Sequence, residues 1–141
     1  MATTTNRYLC YPAAAAGVSR ASSGSAWTAS AWTEVVPANT ITSTFYIAGI
    51  TWCWWTPLAA ADTTYEIELA LGTGSAGSET EIIVIPSSVR ADTLAGHLPT
   101  NVVILPEPKQ IAANTRVAVR LRYGVAASVT VTGIKILYQM A

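Results

Sequence analysis

The stretch that decides the fold is residues 65–79, Tyr-Glu-Ile-Glu-Leu-Ala-Leu-Gly-Thr-Gly-Ser-Ala-Gly-Ser-Glu. Its first half places large apolar side chains at every second position, which is the period of a β-strand with one buried face. Glycines then interrupt the pattern, and residues 80–86 resume it as a second strand. A phosphate-binding glycine loop needs a helix after its glycines, whereas a strand-forming run follows here. The stretch therefore predicts two strands joined at a tight corner.

The same reasoning extends along the rest of the chain. Runs rich in β-branched and aromatic residues predict further strands at 33–36, 43–55, 101–105, 116–123 and 128–138. Residues 43–55 form either one long strand or two strands joined by a β-bulge at Gly49, and a change of phase predicts another bulge at Gly133. A helical pattern is confined to residues 88–95, a segment too short to be stable on its own.

Seven or eight strands without an amphipathic helix predict an all-β protein, a jelly-roll-like antiparallel β-sandwich. Residues 1–25 consist mostly of Thr, Ala, Ser and Gly, with few large apolar side chains to offset the entropy of ordering them. We therefore predict an extended or flexible N-terminal arm over 1–25 and a sandwich domain over 26–141.

Charged side chains on the predicted strands fall on one face. In residues 116–123 the alternation directs Arg116, Arg120 and Arg122 away from the core. Glu66 and Glu68 lie on the outward face of their own strand, so we expect them to pair with Arg120 and Arg122 across the sheet.

Charge is scarce in the chain as a whole. Asp, Glu, Lys and Arg make up 11% of the residues, against about 25% in a typical soluble protein. Eight basic residues balance eight acidic ones, which argues against nucleic acid as a main partner because no positive field is built. So little charge suits a chain that covers part of its surface with other subunits; the alternative is a monomer with a Thr/Ser/Ala-rich surface. No apolar run approaches the roughly 20 residues of a membrane span.

No motif indicates a catalytic or metal centre. The chain has one histidine, His97, and two cysteines, Cys10 and Cys53, without Cys-x-x-Cys spacing, so a zinc site would lack ligands. Ser, Asp and His occur without a nucleophile elbow or carboxylate pair to arrange them. We expect neither enzymatic activity nor a cofactor, and free cysteines of the kind found in cytoplasmic proteins.

Three tryptophans crowd the end of the strand at 43–55. On an extended backbone Trp52 and Trp54 share one face, and Trp55 takes the other. One interpretation makes Trp52 and Trp54 a stacking platform for a sugar or a base. The other assigns one face to the core and the other to a subunit contact. We favour the second, because the flanking residues lack the Asp, Asn and Arg groups that orient a bound sugar.

Several turn and strand signals recur together: the run 65–80, then Leu105-Pro-Glu-Pro108, then Ile111-Ala-Ala-Asn-Thr-Arg-Val-Ala-Val-Arg120. Their order resembles β-domains of tailed-bacteriophage virion proteins, which include head decoration (capsid auxiliary) proteins and parts of tail or head fibres. The resemblance covers about residues 26–138. Its motifs are structural, namely glycines for turns and prolines that end strands, and they carry over no catalytic residue.

The resemblance implies a homotrimeric jelly roll that is assembled in the host cytoplasm and binds the major capsid protein on the outer surface of the virion head. Neither nucleic acid nor a membrane would be a partner. The residues expected at contacts are Tyr8, Leu9, Tyr11, Trp27, Trp32 and Trp55. The alternative is a receptor- or carbohydrate-binding domain of a phage fibre, with Trp52, Trp54 and the loop 72–79 as its sugar site.

Overall fold

The computed structural model of the chain describes residues 7–13, 16–54, 64–90, 100–126 and 128–141. This part of the chain contains no helix and nine strands, all paired antiparallel. The strands are β1 (Leu9–Tyr11), β2 (Val18–Ala21), β3 (Thr33–Val36), β4 (Phe45–Trp54), β5 (Thr64–Thr73), β6 (Thr80–Arg90), β7 (Thr100–Ile111), β8 (Val117–Tyr123) and β9 (Thr130–Met140). The prediction of an all-β protein is confirmed.

The strands form two sheets packed together, as the predicted antiparallel sandwich requires. Sheet A has five strands in the order β1-β9-β4-β7, with β2 also paired to β9. Sheet B has four strands in the order β3-β8-β5-β6. β1 and β2 follow one another along the same edge of β9, since Leu9 pairs with Tyr138 and Ala21 with Thr130.

The core lies between the sheets and is built from the apolar positions that alternate along the strands. The largest completely buried side chains come from β4, β5, β8 and β9: Trp52, Phe45, Ile47, Ile50, Ile67, Leu69, Leu71, Leu121, Ile134 and Ile136. β8 is the cleanest case, because Val117, Val119, Leu121 and Tyr123 are buried as the alternation predicted.

The bulge predicted at Gly133 is present. Buried side chains occupy odd positions before it, at Val129 and Val131, and even positions after it, at Ile134 and Ile136. β9 also shifts register against β4 in this region, and Gly133 adopts a left-handed φ of 63°. An L-residue with a side chain rarely takes that conformation, so glycine sets the point where the phase changes.

The bulge predicted at Gly49 is present as well, within one continuous strand. β4 shifts register against both β7 and β9 between Ile47 and Gly49. A Cβ at Gly49 would overlap the backbone carbonyl oxygen of Val103 on the neighbouring strand. Only glycine therefore allows β4 and β7 to approach so closely.

Several predicted boundaries differ from the structure. Prolines were expected to end strands at 86 and after 105, but β6 runs through Pro86 and β7 through Pro106 and Pro108. In the part of the predicted arm that the structure describes, residues 7–13 and 16–25, β1 and β2 are strands of sheet A and both Tyr11 and Val18 pack against the core, so this part is not separate from the sandwich. The predicted helical turn at 88–95 fails at its start, because β6 continues as a strand to Arg90. Its remainder, with His97, lies outside the described residues.

Candidate functional site

The outer surface of sheet B carries a network of ion pairs. Arg116 donates from Nε to Glu34 Oε2 at 2.7 Å and from Nη1 to Glu79 Oε1 at 2.7 Å. We call the surface formed by Arg116, which directly precedes β8, by the two outward arginines of β8 and by their glutamate partners the charged face; its members are Arg116, Arg120, Arg122, Glu34, Glu68, Glu79 and Glu81.

The predicted cross-strand pairing is correct for one pair. Arg122 lies directly opposite Glu68, and its Nη1 is 3.3 Å from Glu68 Oε2. Arg120 lies opposite Ala70 and reaches instead across β5 to Glu81 on β6, to which its Nε donates at 2.8 Å. The small side chain at Ala70 leaves room for this longer reach, and alternation within single strands does not reveal it.

Glu81 is the shared acceptor of the network. It accepts hydrogen bonds from Arg120 and, at 2.6 Å, from Nη2 of Arg122. The hydrogen bonds from Arg120 lower the pKa of Glu81 below its usual range, although partial burial acts the other way. Glu81 therefore stays ionised and holds two cationic side chains side by side on the surface.

Glu79 fixes the corner between β5 and β6. Its side chain retains 2% of its possible exposure, and it accepts hydrogen bonds from Arg116 and from the backbone N–H of Gly77 at 2.9 Å. Burial alone would raise the pKa of Glu79, but these hydrogen bonds outweigh it and lower the pKa. Arg116 also donates to the carbonyl of Gly74 at 3.3 Å. The carboxylate of Glu79 thus closes the corner. It accepts the hydrogen bond of the Gly77 N–H, a backbone amide that a phosphate-binding loop would direct towards its ligand.

Trp32 packs against the charged face. The guanidinium carbon of Arg120 lies 4.6 Å from the centroid of the Trp32 ring, a cation–π contact. The indole also lies against Gly72, where a Cβ would approach its ring to 2.6 Å. Trp32 therefore contacts both a guanidinium and a glycine, and it is half-buried without any partner chain.

The outer surface of sheet A differs sharply. Val102 and Ile104 on β7 are 58% and 52% exposed, and Ile104 and Leu137 meet over Gly49. On β1, β4 and β9, Lys135 is the one charged residue among the outward positions that the structure describes, while the far end of the edge strand β7 adds two exposed charged residues, Glu107 and Lys109. We call this surface the low-charge face; its members are Cys10, Tyr46, Thr51, Val102, Ile104, Lys135, Leu137 and Gln139.

The residues predicted at the N-terminal contact lie at the edge of sheet A. Tyr8 is 52% exposed, while Leu9 and Tyr11 are half-buried in β1. Cys10, between them, pairs with Leu137 and shares its face, so this edge is continuous with the low-charge face. The structure describes both Cys10 and Cys53, and no disulfide joins them.

The predicted tryptophan sites are scattered. Trp52 is completely buried, so the prediction that it forms an exposed ligand platform is wrong, and the favoured interpretation, a core position, is confirmed for it. The side chain of Trp54 and the whole of Trp55 lie outside the described residues, and their roles stay predictions. Trp27 is 47% exposed and forms one wall of a cleft of about 350 Å³ on sheet B. The sequence patterns did not predict this cleft.

The sequence of the chain matches no family model and no curated protein. Among the described residues, no group of three or more His, Cys, Asp or Glu side chains is placed to hold a metal ion, and no helix is long and apolar enough to cross a membrane. The two outer faces and the Trp27 cleft are therefore the features from which a function can be argued.

Proposed function

We propose that this chain is a non-enzymatic structural protein of a tailed-phage virion, a decoration protein that binds the outer head lattice and stabilises it. The low-charge face carries the proposal. A protein contact must strip water from both surfaces, and stripping it from charged groups costs far more than from Val, Ile, Thr and Leu. Interface cores are accordingly depleted of charge and enriched in apolar area.

The strand order supports a jelly roll within this proposal. The hydrogen-bonded pairs β2–β9, β3–β8, β4–β7 and β5–β6 are nested, as in one long antiparallel ribbon with the β5–β6 corner at its tip. β1 and β2 together serve as the first strand of that ribbon, which gives the eight strands of a jelly roll. This architecture is common among viral capsid domains.

The major capsid protein is the partner that we propose for the low-charge face, and self-association as a homotrimer would cover part of the same surface. Tyr8 extends this surface at the edge of sheet A, where it stands 52% exposed beside β1. The charged face would then look outward to solvent, since its charges already satisfy one another.

The fibre-domain alternative has lost part of its basis. It places a sugar on Trp52, Trp54 and the loop 72–79, but Trp52 is completely buried and the loop is closed by Glu79. Trp27 is the exposed tryptophan of the described residues, and it lies on the other sheet from Trp52.

Locating the protein on the particle tests the proposal against its alternative. Purified virions would be labelled with an antibody against the chain and imaged by negative-stain electron microscopy. We expect label distributed over the head shell. Label confined to tail fibres would favour the receptor-binding alternative, and its absence from the particle would contradict both roles.

A further inference from the structure

The cleft beside Trp27 combines an aromatic wall with a polar floor. Its floor is the paired ends of β5 and β6, where Glu66 lies opposite Ser88 and Glu68 opposite Pro86. Trp27 closes one side, in the loop that precedes β3. The cleft opens on the outer surface of sheet B, where the charged face also lies.

Trp27 is held in place by its backbone. It has a left-handed φ of 53°, which a bulky residue rarely adopts, and its N–H donates to the carbonyl of Tyr123 at 2.7 Å. A Cβ at Gly124 would lie 3.0 Å from the indole, so the ring rests directly on a glycine. Strained conformations of this kind persist where the surrounding structure fixes them, and they concentrate at binding sites. An indole fixed this way but 47% exposed is arranged to meet a ligand.

The charge of the cleft determines whether a positively or a negatively charged ligand is favoured. Glu66 is exposed and forms no ion pair with any residue that the structure describes, while Glu68 has Arg122 at 3.3 Å. None of Trp27, Ser87 and Ser88 adds a positive charge. The part of the lining that the structure describes is therefore net negative, which disfavours anions and favours a cation.

A completed arrangement of the same groups lies elsewhere on sheet B. There the guanidinium of Arg120 stacks on Trp32 and donates to the carboxylate of Glu81. A planar guanidinium satisfies an indole face and a carboxylate together, which a compact ammonium group does less well. The cleft repeats the indole, at Trp27, and the carboxylate, at Glu66.

We propose that the Trp27 cleft binds a guanidinium group, stacked on Trp27 and hydrogen-bonded to Glu66. The group would come from an arginine side chain of a partner protein or from a small guanidino compound. This site does not depend on the proposed function, because its chemistry is the same on a virion protein or on any other.

The proposal is tested by titrating the full ¹⁵N-labelled chain and following the indole N–H of Trp27 and the amides of residues 66–68 and 87–88 by NMR. N-acetyl-arginine amide mimics a protein side chain, agmatine is a small guanidino compound, and N-acetyl-citrulline amide has nearly the same shape without the charge. We expect saturable chemical-shift changes with both guanidino probes. The citrulline probe should bind at least about two- to fivefold more weakly than the arginine probe, because an exposed cation–π contact contributes that much to affinity. Tighter binding of the amide than of agmatine would indicate a protein partner, and the reverse a small molecule.

Variants separate the site from the fold. Glu66→Gln should weaken binding of the arginine probe, whereas Glu107→Gln removes the same charge from an exposed residue of β7 and should leave binding unchanged. Trp27→Gly removes the indole while suiting the left-handed φ, so it should fold and lose binding. Equal affinity for arginine and citrulline, or unchanged binding in a folded Glu66→Gln protein, would overturn the proposal.

Discussion

The two outer faces of the sandwich have the same backbone architecture and opposite chemistry. On sheet B, three arginines and four glutamates form two groups of ion pairs, one centred on Arg116 and one on Glu81, with Trp32 stacked on Arg120. On sheet A, the outward positions are mostly Thr, Val, Ile, Leu and Gln; the exposed charges on its described strands β1, β4, β7 and β9 are Lys135 on β9 and, at the far end of β7, Glu107 and Lys109. Since the chain has only sixteen acidic and basic groups, eight of each sign, this segregation is large.

The difference shows how a chain poor in charge can divide its surface. Ion pairs on a solvated face contribute little stability each, but a connected set fixes side-chain positions and keeps that face hydrated. A face without charges loses little when water is removed, so it is the better surface for a protein contact. The substitutions below are chosen to alter one face at a time.

The largest effect on the free energy of unfolding is expected from replacing the glycine beneath each face with alanine. Gly49→Ala would drive a Cβ into the backbone carbonyl of Val103, which cannot move without opening sheet A, at a cost of about 3 kcal/mol. Gly72→Ala meets mainly the indole of Trp32, a side chain that can shift, so its cost should be about 1 kcal/mol. Urea denaturation of both variants measures the difference. Equal losses would show that Trp32 is held as rigidly as a backbone strand.

A smaller effect is expected from removing the shared acceptor of the charged face. Glu81→Gln should lower the free energy of unfolding at neutral pH by about 1 kcal/mol, because Arg120 and Arg122 lose their common partner. Glu107→Gln removes one exposed glutamate outside the network and serves as the control. The measurement is urea denaturation at neutral pH, and an equal response of the two variants would contradict the network.

Acid should act through the same group. The pKa of Glu81 is lowered in the folded chain, so its stabilisation is complete above the ordinary glutamate pKa of about 4.3 and is lost as pH falls through the folded-state value. The melting temperature of the wild type should therefore fall more steeply below about pH 4 than that of Glu81→Gln. Parallel pH profiles in thermal scans would remove Glu81 from the account.

Reversal of a single cross-strand charge should have a modest effect. Glu68→Lys places a cation opposite Arg122, whose Nη1 now lies 3.3 Å from Glu68. Both side chains are partly exposed, so the loss should be about 0.5–1 kcal/mol and should shrink in high salt. Thermal melts at low and high salt test this, and an unchanged melting temperature at low salt would show that the pair contributes nothing.

Local alternation predicted much of this structure. It identified strands β3 to β9, the outward arginines at 116, 120 and 122 and the phase change at Gly133, and it offered a bulge at Gly49 as one of two alternatives. These features follow from the period of the side chains and from the unique backbone freedom of glycine, both of which are written in adjacent residues.

Long-range pairing was beyond that reasoning. β1 and β2 are only three and four residues long, and their order comes from pairing with β9 more than a hundred residues later. Gly17 lies so close to Gly133 that a Cβ on Gly17 would be 2.6 Å from the backbone of Gly133. Neither local sequence predicts this approach. The partner of Arg120 was missed for the same reason, since Glu81 lies two strands away from it.

The corner at 74–79 depends on both local sequence and long-range contacts. Its strands are adjacent in sequence, so the hairpin could be predicted, and this prediction is confirmed by the register of β5 with β6. Its closure by Glu79 and Arg116 depends on β8 and could not be predicted. The stretch at 65–79 thus specifies a local turn and also contributes to the charged face.

Central to the proposed function is that the low-charge face, and not the charged face, would make the contact with the head lattice. Val102 and Val84 are similarly exposed valines, 58% and 46%, on the outer surfaces of sheet A and sheet B. Each would be replaced by Asp, and the folded proteins would be sedimented with phage heads that lack the chain. Burial of an unpaired carboxylate should weaken binding of Val102→Asp by at least about tenfold, while Val84→Asp binds like the wild type. Equal binding of the two variants, or a loss confined to Val84→Asp, would contradict the account.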